Sequence, residues 1–368
     1  MGIYHHVIRP LAFQSDAEAM HDRAVRMGSR VGACPWLTQW LRRRYSVEDP
    51  RLHCTVAGLE CPNPIGLAAG YDKSGYSVAA LAALGFGSIE VGSVSADPSD
   101  GNPRPRLWRS PEDEAIIVNY GLPNEGAEAV AQRLRDVQLP VPLGVNVVKT
   151  NRLRSEPDEA VFSDYEAGVR GVKDVCDYLM INLSCPNTES GRDFFGEPGQ
   201  IAELLRRLDG LELQTPVFLK VSPMGGGEAL DRLLEEADPF PWVSGFMFNL
   251  PPGKPVALSL PPERLEAMPG AVAGKPIQGI IDERTAALYR RMDKQRYRLI
   301  AAGGVFNAED AYRKIRLGAS LVQLWTGLVY QGPGVVRRIN QGLLAILERD
   351  GLRHIHDALG ADAAEHKG

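Results

Sequence analysis

The sequence lacks any long apolar run. No stretch approaches the roughly 18 consecutive apolar residues that a membrane-spanning helix needs. Its first residues also lack the apolar core and the small-residue cleavage site of a secretory signal peptide. We therefore expect a cytoplasmic protein whose contact with a membrane, where it occurs, is confined to its surface.

Basic charge and clustered metal ligands are also scarce. The 368 residues carry a formal net charge of −5, so no basic excess is available to neutralise the phosphates of a nucleic acid. The five cysteines form no Cys-x-x-Cys motif, which argues against a disulfide scaffold and against a zinc site. With only seven histidines in addition, we expect no metal site and no nucleic-acid partner.

From residue 62 onwards, short apolar runs alternate with amphipathic stretches, as expected of repeated βα units. The runs are apolar throughout, which is typical of parallel strands that are covered on both faces. Strands are predicted at residues 65–69, 88–91, 143–147, 178–183, 217–221, 245–248, 299–302 and 321–324. Helices are predicted at residues 125–134, 157–175, 200–208, 308–315 and 334–347.

Eight strands are the number that closes a barrel, so we predict an α/β fold, a (β/α)8 TIM barrel, over residues 62–368. An open doubly wound sheet would give a similar pattern, but it usually carries one early glycine-rich turn. Here polar residues follow many of the strands instead, which favours the barrel.

Residues 1–61 are predicted to form an N-terminal helical extension. A capping box from Ser15 to Glu18 opens one helix, and a second helix after Pro35 places Trp36 and Trp40 on one side, with Leu37 and Leu41. Arginines at 42–44 end it. Such a segment could lie on a membrane surface, with its arginines on anionic lipid. The alternative is a helical hairpin packed on the barrel, and the residues alone leave both open.

The residues that follow the strands of such a barrel face one pocket. Here they are rich in amides and lysines and poor in carboxylates, which disfavours glycoside hydrolysis and divalent metals. Amides and lysines suit a planar, anionic heterocycle, because a lysine near a reduced flavin ring would stabilise its negative charge. Lys220 is a strong candidate, since it interrupts an otherwise apolar strand and burial of an unpaired ammonium is costly.

Small residues follow the last two strands. Gly303 and Gly304 end one, and Trp325 and Thr326 end the next. Glycines allow backbone N–H groups to approach an anion closely, and the loops after strands seven and eight are the usual phosphate site of these barrels. The pattern therefore predicts a phosphate-binding end of the pocket.

Cys185 lies in the most distinctive motif, residues 182–187, Asn-Leu-Ser-Cys-Pro-Asn. It follows a strand and stands between Asn182 and Asn187, and Pro186 restricts its backbone to extended geometry. A thiolate here could act as a nucleophile or as a general base, and no neighbouring feature indicates an acyl-transfer triad.

These motifs resemble the dihydroorotate dehydrogenase family. The matching segments are residues 63–73, 85–93, 101–109 and 321–327, and the resemblance extends over nearly the whole chain. The N-terminal segment resembles that of the quinone-using, membrane-associated branch. This implies a quinone acceptor and peripheral contact of residues 1–45 with the inner face of the cell membrane.

The resemblance implies FMN as the cofactor, a hydride transfer from C6 of dihydroorotate to flavin N5, and removal of the C5 proton by Cys185, with Lys73 beside the reacting atoms. The implied FMN contacts are Ala69, Gly70, Lys73, Ser93, Asn146, Asn182, Lys220, Gly274, Gly303, Gly304, Trp325 and Thr326. The implied substrate contacts are Lys73, Asn119, Asn182, Asn187 and Asn249.

Four positions depart from the family pattern. The quinone-using branch normally has serine where this chain has Cys185, as in the soluble branch. A substrate-binding asparagine is replaced by Val118 or displaced to Asn119, Leu250 replaces a hydroxyl residue, and Ala273 replaces the serine of a turn. Because lost hydrogen bonds to a polar substrate cost affinity, a related flavoenzyme acting on a C–C bond of a less polar substrate is an alternative. A non-catalytic flavin binder is a second alternative, disfavoured by Lys73, Cys185 and Lys220.

Overall fold

Eight parallel strands close into a barrel in the computed structural model of the chain, which describes residues 3–151, 157–184 and 194–364. The predicted TIM barrel is confirmed. In chain order the barrel strands are β3 (Ile65–Leu67), β4 (Ser88–Val94), β7 (Leu143–Val147), β8 (Tyr178–Asn182), β9 (Val217–Val221), β10 (Val243–Phe248), β12 (Arg298–Ala301) and β13 (Ala319–Leu324).

Burial on both faces explains why the strands read as unbroken apolar runs. Every residue of β7, β8 and β9 is buried. Parallel pairing then brings the carboxyl ends of the strands to one rim. Asn182 stands opposite Lys220 across β8 and β9, and Gly92 stands opposite Asn146 across β4 and β7. The register therefore gathers predicted site residues that are far apart in sequence.

Ten α-helices lie between and after the barrel strands in the described ranges. They are α4 (Val78–Ala82), α5 (Ala127–Leu134), α6 (Asp158–Val172), α7 (Gln200–Asp209), α8 (Gly227–Ala237), α9 (Pro262–Glu266), α10 (Gln278–Arg291), α11 (Ala308–Arg316), α12 (Thr326–Gln331) and α13 (Val335–Asp350). In α7 the buried residues are Ile201, Leu204, Leu205 and Leu208, one face of a helix. Each such side chain contributes roughly 1.5–3 kcal/mol on burial.

Two small sheets were not predicted. Strands β1 (Cys54–Val56) and β2 (Leu59–Cys61) form a hairpin whose turn residues, Ala57 and Gly58, both have positive φ angles (51° and 82°), as this two-residue turn requires. Its apolar side chains pack on Tyr178 and Phe218 at the amino ends of β8 and β9, so the hairpin covers that end of the barrel. Strands β5 (Leu107–Ser110), β6 (Ala115–Val118) and β11 (Ala271–Gly274) form an antiparallel sheet near the opposite rim.

The N-terminal segment is helical, as predicted, and packs on the barrel. It comprises a π-helical turn (Tyr4–Ile8), α1 (Arg9–Phe13), α2 (Ala17–Gly32) and α3 (Pro35–Tyr45). The predicted capping box was wrong in its first residue, because Asp16 is the N-cap of α2 and accepts the N–H of Ala19 (2.8 Å). Glu18 is not part of a cap; it is buried and pairs with Arg106 (2.9 Å).

Candidate active site

A cavity lies at the carboxyl ends of the barrel strands. Most of the residues predicted for the site line it. They are Ala69, Gly70, Lys73, Ser93, Asn182, Lys220, Asn249, Gly274, Gly303, Gly304, Trp325 and Thr326. Parallel strands and their return loops therefore bring these side chains to one place.

Two predicted residues, Asn119 and Asn146, do not line the cavity, and two more are not described. Cys185 and Asn187 lie outside the described residues. Asn146 is fully buried behind Ser93. Asn119 points away, because its Oδ1 accepts the Nδ2–H of Asn102 (3.1 Å). Of the two positions weighed for the family's asparagine, it is Val118 that faces the cavity.

A chain of side-chain hydrogen bonds joins four barrel strands at the cavity floor. Asn249 Nδ2 donates to Asn182 Oδ1 (3.1 Å), and Asn182 Nδ2 donates to Ser93 Oγ (3.2 Å). Ser93 Oγ in turn donates to Asn146 Oδ1 (2.5 Å). Each side chain orients the next, so the polar floor is organised before any ligand binds.

Below this chain lies Glu90, a buried carboxylate that the sequence interpretation missed. It accepts hydrogen bonds from Asn146 Nδ2 (2.9 Å), Tyr178 Oη (3.1 Å) and Gln323 Nε2 (2.8 Å). Burial, together with this carboxylate, raises the pKa of Tyr178 far above its ordinary value, which keeps the phenol a donor. Because a carboxylate only accepts, it fixes Nδ2 of Asn146 as the donor below and Oδ1 as the acceptor above. Its position within an otherwise apolar strand is the sequence feature that could have identified Glu90.

Lys73 lies at the junction between the cavity and the N-terminal helices. Its Nζ is 3.5 Å from Nε2 of His21 on α2 and 3.8 Å from the ring centroid of Tyr120. Burial lowers the pKa of Lys73 to about 8. Burial, and then the Lys73 ammonium, lowers the pKa of His21 well below its ordinary value, so the imidazole is neutral near pH 7. His21 was not predicted as a site residue.

Two lysines thus face a cavity otherwise lined by amides, hydroxyls and apolar groups. Lys73 lines it near α2, and Lys220, only 8% exposed, lines it from β9. Buried ammonium groups favour a ligand that carries or develops negative charge. This arrangement fits the heterocycle predicted from the sequence.

The glycine turn after β12 forms another part of the wall. Gly303 and Gly304 have φ angles of 84° and 71°, a region that other residues rarely adopt. A Cβ on Gly304 would lie 2.5 Å from Cβ of Gln278. Nearby, Nε1 of Trp325 is buried and has no hydrogen-bond partner among the described residues. A ligand can approach the backbone of this turn closely, and the indole N–H of Trp325 can donate a hydrogen bond to it. Both features suit a large, polar ligand such as a flavin phosphate.

One side of the cavity is apolar. Val118, Tyr120 and Ala273 line it and belong to one buried cluster, against which Leu250 packs. The backbone N–H of Leu250 is bonded to Oδ1 of Asn249 (2.9 Å). Three of the four positions that depart from the family pattern, Val118, Leu250 and Ala273, therefore lie on one wall of the cavity.

Within residues 3–151, 157–184 and 194–364, no three His, Cys, Asp or Glu side chains converge as metal ligands. No helix in these ranges is both long and apolar enough to cross a membrane.

Comparisons with known proteins give one family. The family model for dihydroorotate dehydrogenase matches residues 51–347. The chain is 39% identical over 362 residues to a Halobacterium salinarum protein named dihydroorotate dehydrogenase (quinone), covering 97% of this chain and 99% of the relative. A Roseiflexus castenholzii protein of the same name is 38% identical over 364 residues, covering 98% and 97%.

Solved structures agree with the sequence relatives. The crystal structure of DHODH from Eimeria tenella in complex with ferulenol has a TM-score of 0.80 and 29% identity, covering 94% of this chain and 96% of that one. The ligand-free enzyme from the same organism gives a TM-score of 0.82 at 28% identity, covering 94% and 99%.

Proposed function

Because the chain belongs to the dihydroorotate dehydrogenase family, we propose that it oxidises dihydroorotate to orotate with FMN as its cofactor and a quinone as the final acceptor. The observation that carries this proposal is the cavity. Lys73, Asn182, Lys220 and Asn249 line the same space as the glycine turn at Gly303 and Gly304. The amides can bind the polar edges of a ring, the lysines can stabilise a developing negative charge, and the glycine turn can bind a phosphate.

The residues present fit FMN. We assign its phosphate to the turns after β12 and β13, where Gly303, Gly304 and Thr326 line the cavity. Lys220, Ser93 and Asn182 supply donors and acceptors for the ring, and Asn146 orients Ser93 from behind. The remaining proposed contacts are Ala69, Gly70, Lys73, Gly274 and Trp325. When bound, FMN supplies a two-electron hydride acceptor.

The substrate would lie on the amide floor. Asn182 and Asn249 are already oriented there by their mutual hydrogen bond, and Asn187 is proposed to join them from the following loop. Asn119 contributes only if its bond to Asn102 breaks. Lys73 places an ammonium at the other side, where it would stabilise negative charge on the reacting ring.

We assign proton removal to Cys185. In the sequence it follows Asn182, the last residue of β8, by three positions. A free thiol has a pKa of about 8.5, so a local cation or hydrogen-bond donor must favour the thiolate. The asparagines on either side in sequence are candidate donors.

The N-terminal helices support a quinone acceptor. His21 on α2 touches Lys73, which lines the cavity, so a molecule held between these helices and the barrel lies beside the site. Trp36 and Trp40 on α3 are 68% and 57% exposed, and Leu11 on α1 is 62% exposed. Exposed tryptophans beside the arginines at 42–44 suit the headgroup region of an anionic membrane, where quinones are available.

The apolar wall supports a second candidate function. Val118, Ala273 and Leu250 offer no side-chain hydrogen bond to a polar ring edge. A related flavoenzyme reaction on a C–C bond of a less polar substrate would use the same floor and cofactor.

Turnover by the purified holoenzyme distinguishes the two. Dihydroorotate is supplied with a short-chain quinone, and orotate formation is followed together with the bound flavin spectrum. Orotate formation supports the first function. A yellow, FMN-containing protein that forms no orotate with any acceptor supports the second, and a protein unable to take up FMN contradicts both.

A further inference from the structure

A buried polar cluster lies behind the glycine turn and does not line the cavity. Its centre is Asp310 on α11, which is 3% exposed. Its Oδ1 accepts hydrogen bonds from Lys275 Nζ (2.6 Å) and Gln278 Nε2 (2.9 Å), and its Oδ2 accepts the backbone N–H of Phe306 (3.1 Å). One carboxylate therefore holds the segment after β11, the start of α10 and the segment after β12.

Gln278 links Asp310 to the glycine turn. Its Nε2 donates one hydrogen to Asp310 and the other to the backbone carbonyl of Gly304 (2.8 Å). Both amide hydrogens are used, and the acceptor-only carboxylate determines which end of the amide is the donor. The carbonyl of Gly304 is thereby held on the side away from the cavity.

The orientation of that carbonyl has a direct consequence for the backbone. In a trans peptide the C=O and the next N–H point in opposite directions. Holding the Gly304 carbonyl towards Gln278 therefore directs the N–H of Val305 the other way, and Val305 lines the cavity. Outward carbonyls and inward N–H groups are what an anion-binding turn needs.

We propose that Asp310, acting through Gln278, is a positioning residue for the turn that binds the phosphate of FMN. This inference rests on the proposed function. Neither side chain lines the cavity; they fix the direction of the Gly304–Val305 peptide.

A comparison of FMN with riboflavin, which lacks the phosphate, tests the role. The dissociation constants of both flavins are measured by fluorescence titration of the apoprotein for the wild type, Gln278→Leu and Asp310→Asn. We expect FMN to bind on the order of tenfold more weakly to each variant, while riboflavin binds as it does to the wild type.

Asp282→Asn is the matched control. Asp282 is a buried carboxylate on the same helix as Gln278 and pairs with Lys314 (2.6 Å) and Arg313 (3.3 Å) of α11, neither of which belongs to the turn. We expect it to lower thermal stability without changing the ratio of the two dissociation constants. If Asp310→Asn does not fold, Gln278→Leu, which leaves the carboxylate and Lys275 in place, carries the test.

The outcomes separate this inference from the function it rests on. Equal weakening of FMN and riboflavin binding, or no weakening of either, overturns the positioning role but does not contradict the proposal that FMN is the cofactor. A wild-type apoprotein that binds neither flavin overturns the proposed function, and the inference with it.

Discussion

His21 and Lys73 meet at 3.5 Å, between Nε2 of one and Nζ of the other. One belongs to α2, and the other lines the cavity of the barrel. Their contact means that the N-terminal helices form part of the surroundings of the site. The charge state of Lys73 and the docking of α2 are therefore linked, and each can be tested separately.

Lys73 is expected to make stability depend on pH. Burial lowers its folded-state pKa to about 8, against about 10.4 in the unfolded chain. Between these values the unfolded chain binds more protons, so the contribution of Lys73 to the free energy of unfolding rises with pH from about 8 to about 10.4. Lys73→Met should lose this rise in urea-unfolding measurements. The exposed Lys294 gives the control, Lys294→Met; an unchanged slope in Lys73→Met contradicts the burial of its charge.

The buried Glu18–Arg106 pair is expected to hold α2 on the barrel. Both side chains are under 10% exposed, at 5% and 8%. Arg106→Met leaves a buried carboxylate whose remaining ion-pair partner is the exposed Arg104 (3.1 Å), so the free energy of unfolding should fall by roughly 3 kcal/mol. Quinone reduction should slow more than flavin reduction by substrate.

The surface ion pair of Arg291 and Asp231 provides the control for Arg106→Met. Arg291→Met should cost less than about 1 kcal/mol and leave both half-reactions unchanged. Equal loss of the two half-reactions in Arg106→Met would show that α2 serves only the stability of the barrel.

Val118 is expected to limit affinity for a polar substrate. An asparagine here places an amide on the wall where Val118 and Ala273 now present methyl groups. If dihydroorotate is the substrate, Val118→Asn should lower its KM about fivefold, since one hydrogen bond contributes about 1 kcal/mol, with little change in kcat. Steady-state kinetics measures both constants. A raised KM would instead indicate that this wall contacts an apolar part of the ligand.

Trp36 and Trp40 are expected to mediate membrane contact. Both are more than half exposed, so replacing them with alanine should leave folding intact. Co-sedimentation with vesicles containing anionic phospholipid should fall severalfold in the double variant. Met224 is also 50% exposed but lies on the loop before α8. Met224→Ser should sediment like the wild type, and equal sedimentation of all three proteins would exclude α3 as the contact.

The barrel could be predicted because its strands are buried on both faces and recur with helices between them. Strands 143–147 and 217–221 have the predicted bounds. The β1–β2 hairpin and the β5–β6–β11 sheet were missed, because strands of three or four residues show too little alternation to be distinguished from loops.

The site residues that follow strands could be predicted. Those that depend on packing between segments far apart in the sequence could not. Lys73, Asn182 and Asn249 follow or end strands, so topology alone brings them together. The contact of His21 with Lys73 spans 52 positions and depends on how α2 docks. Asn119 is absent from the lining of the cavity because side chains alternate along β6 and its continuation, and Val118 and Tyr120 take the cavity side.

We propose that dihydroorotate reduces the bound flavin with Cys185 as the base. Anaerobic stopped-flow mixing of holoenzyme with dihydroorotate, followed by flavin absorbance, measures this half-reaction without a quinone. We expect rapid bleaching in the wild type and a rate that is lowered about 10²–10⁴-fold in Cys185→Ala, with FMN still bound. Bleaching of Cys185→Ala at the wild-type rate, or no bleaching of the wild type, would contradict it.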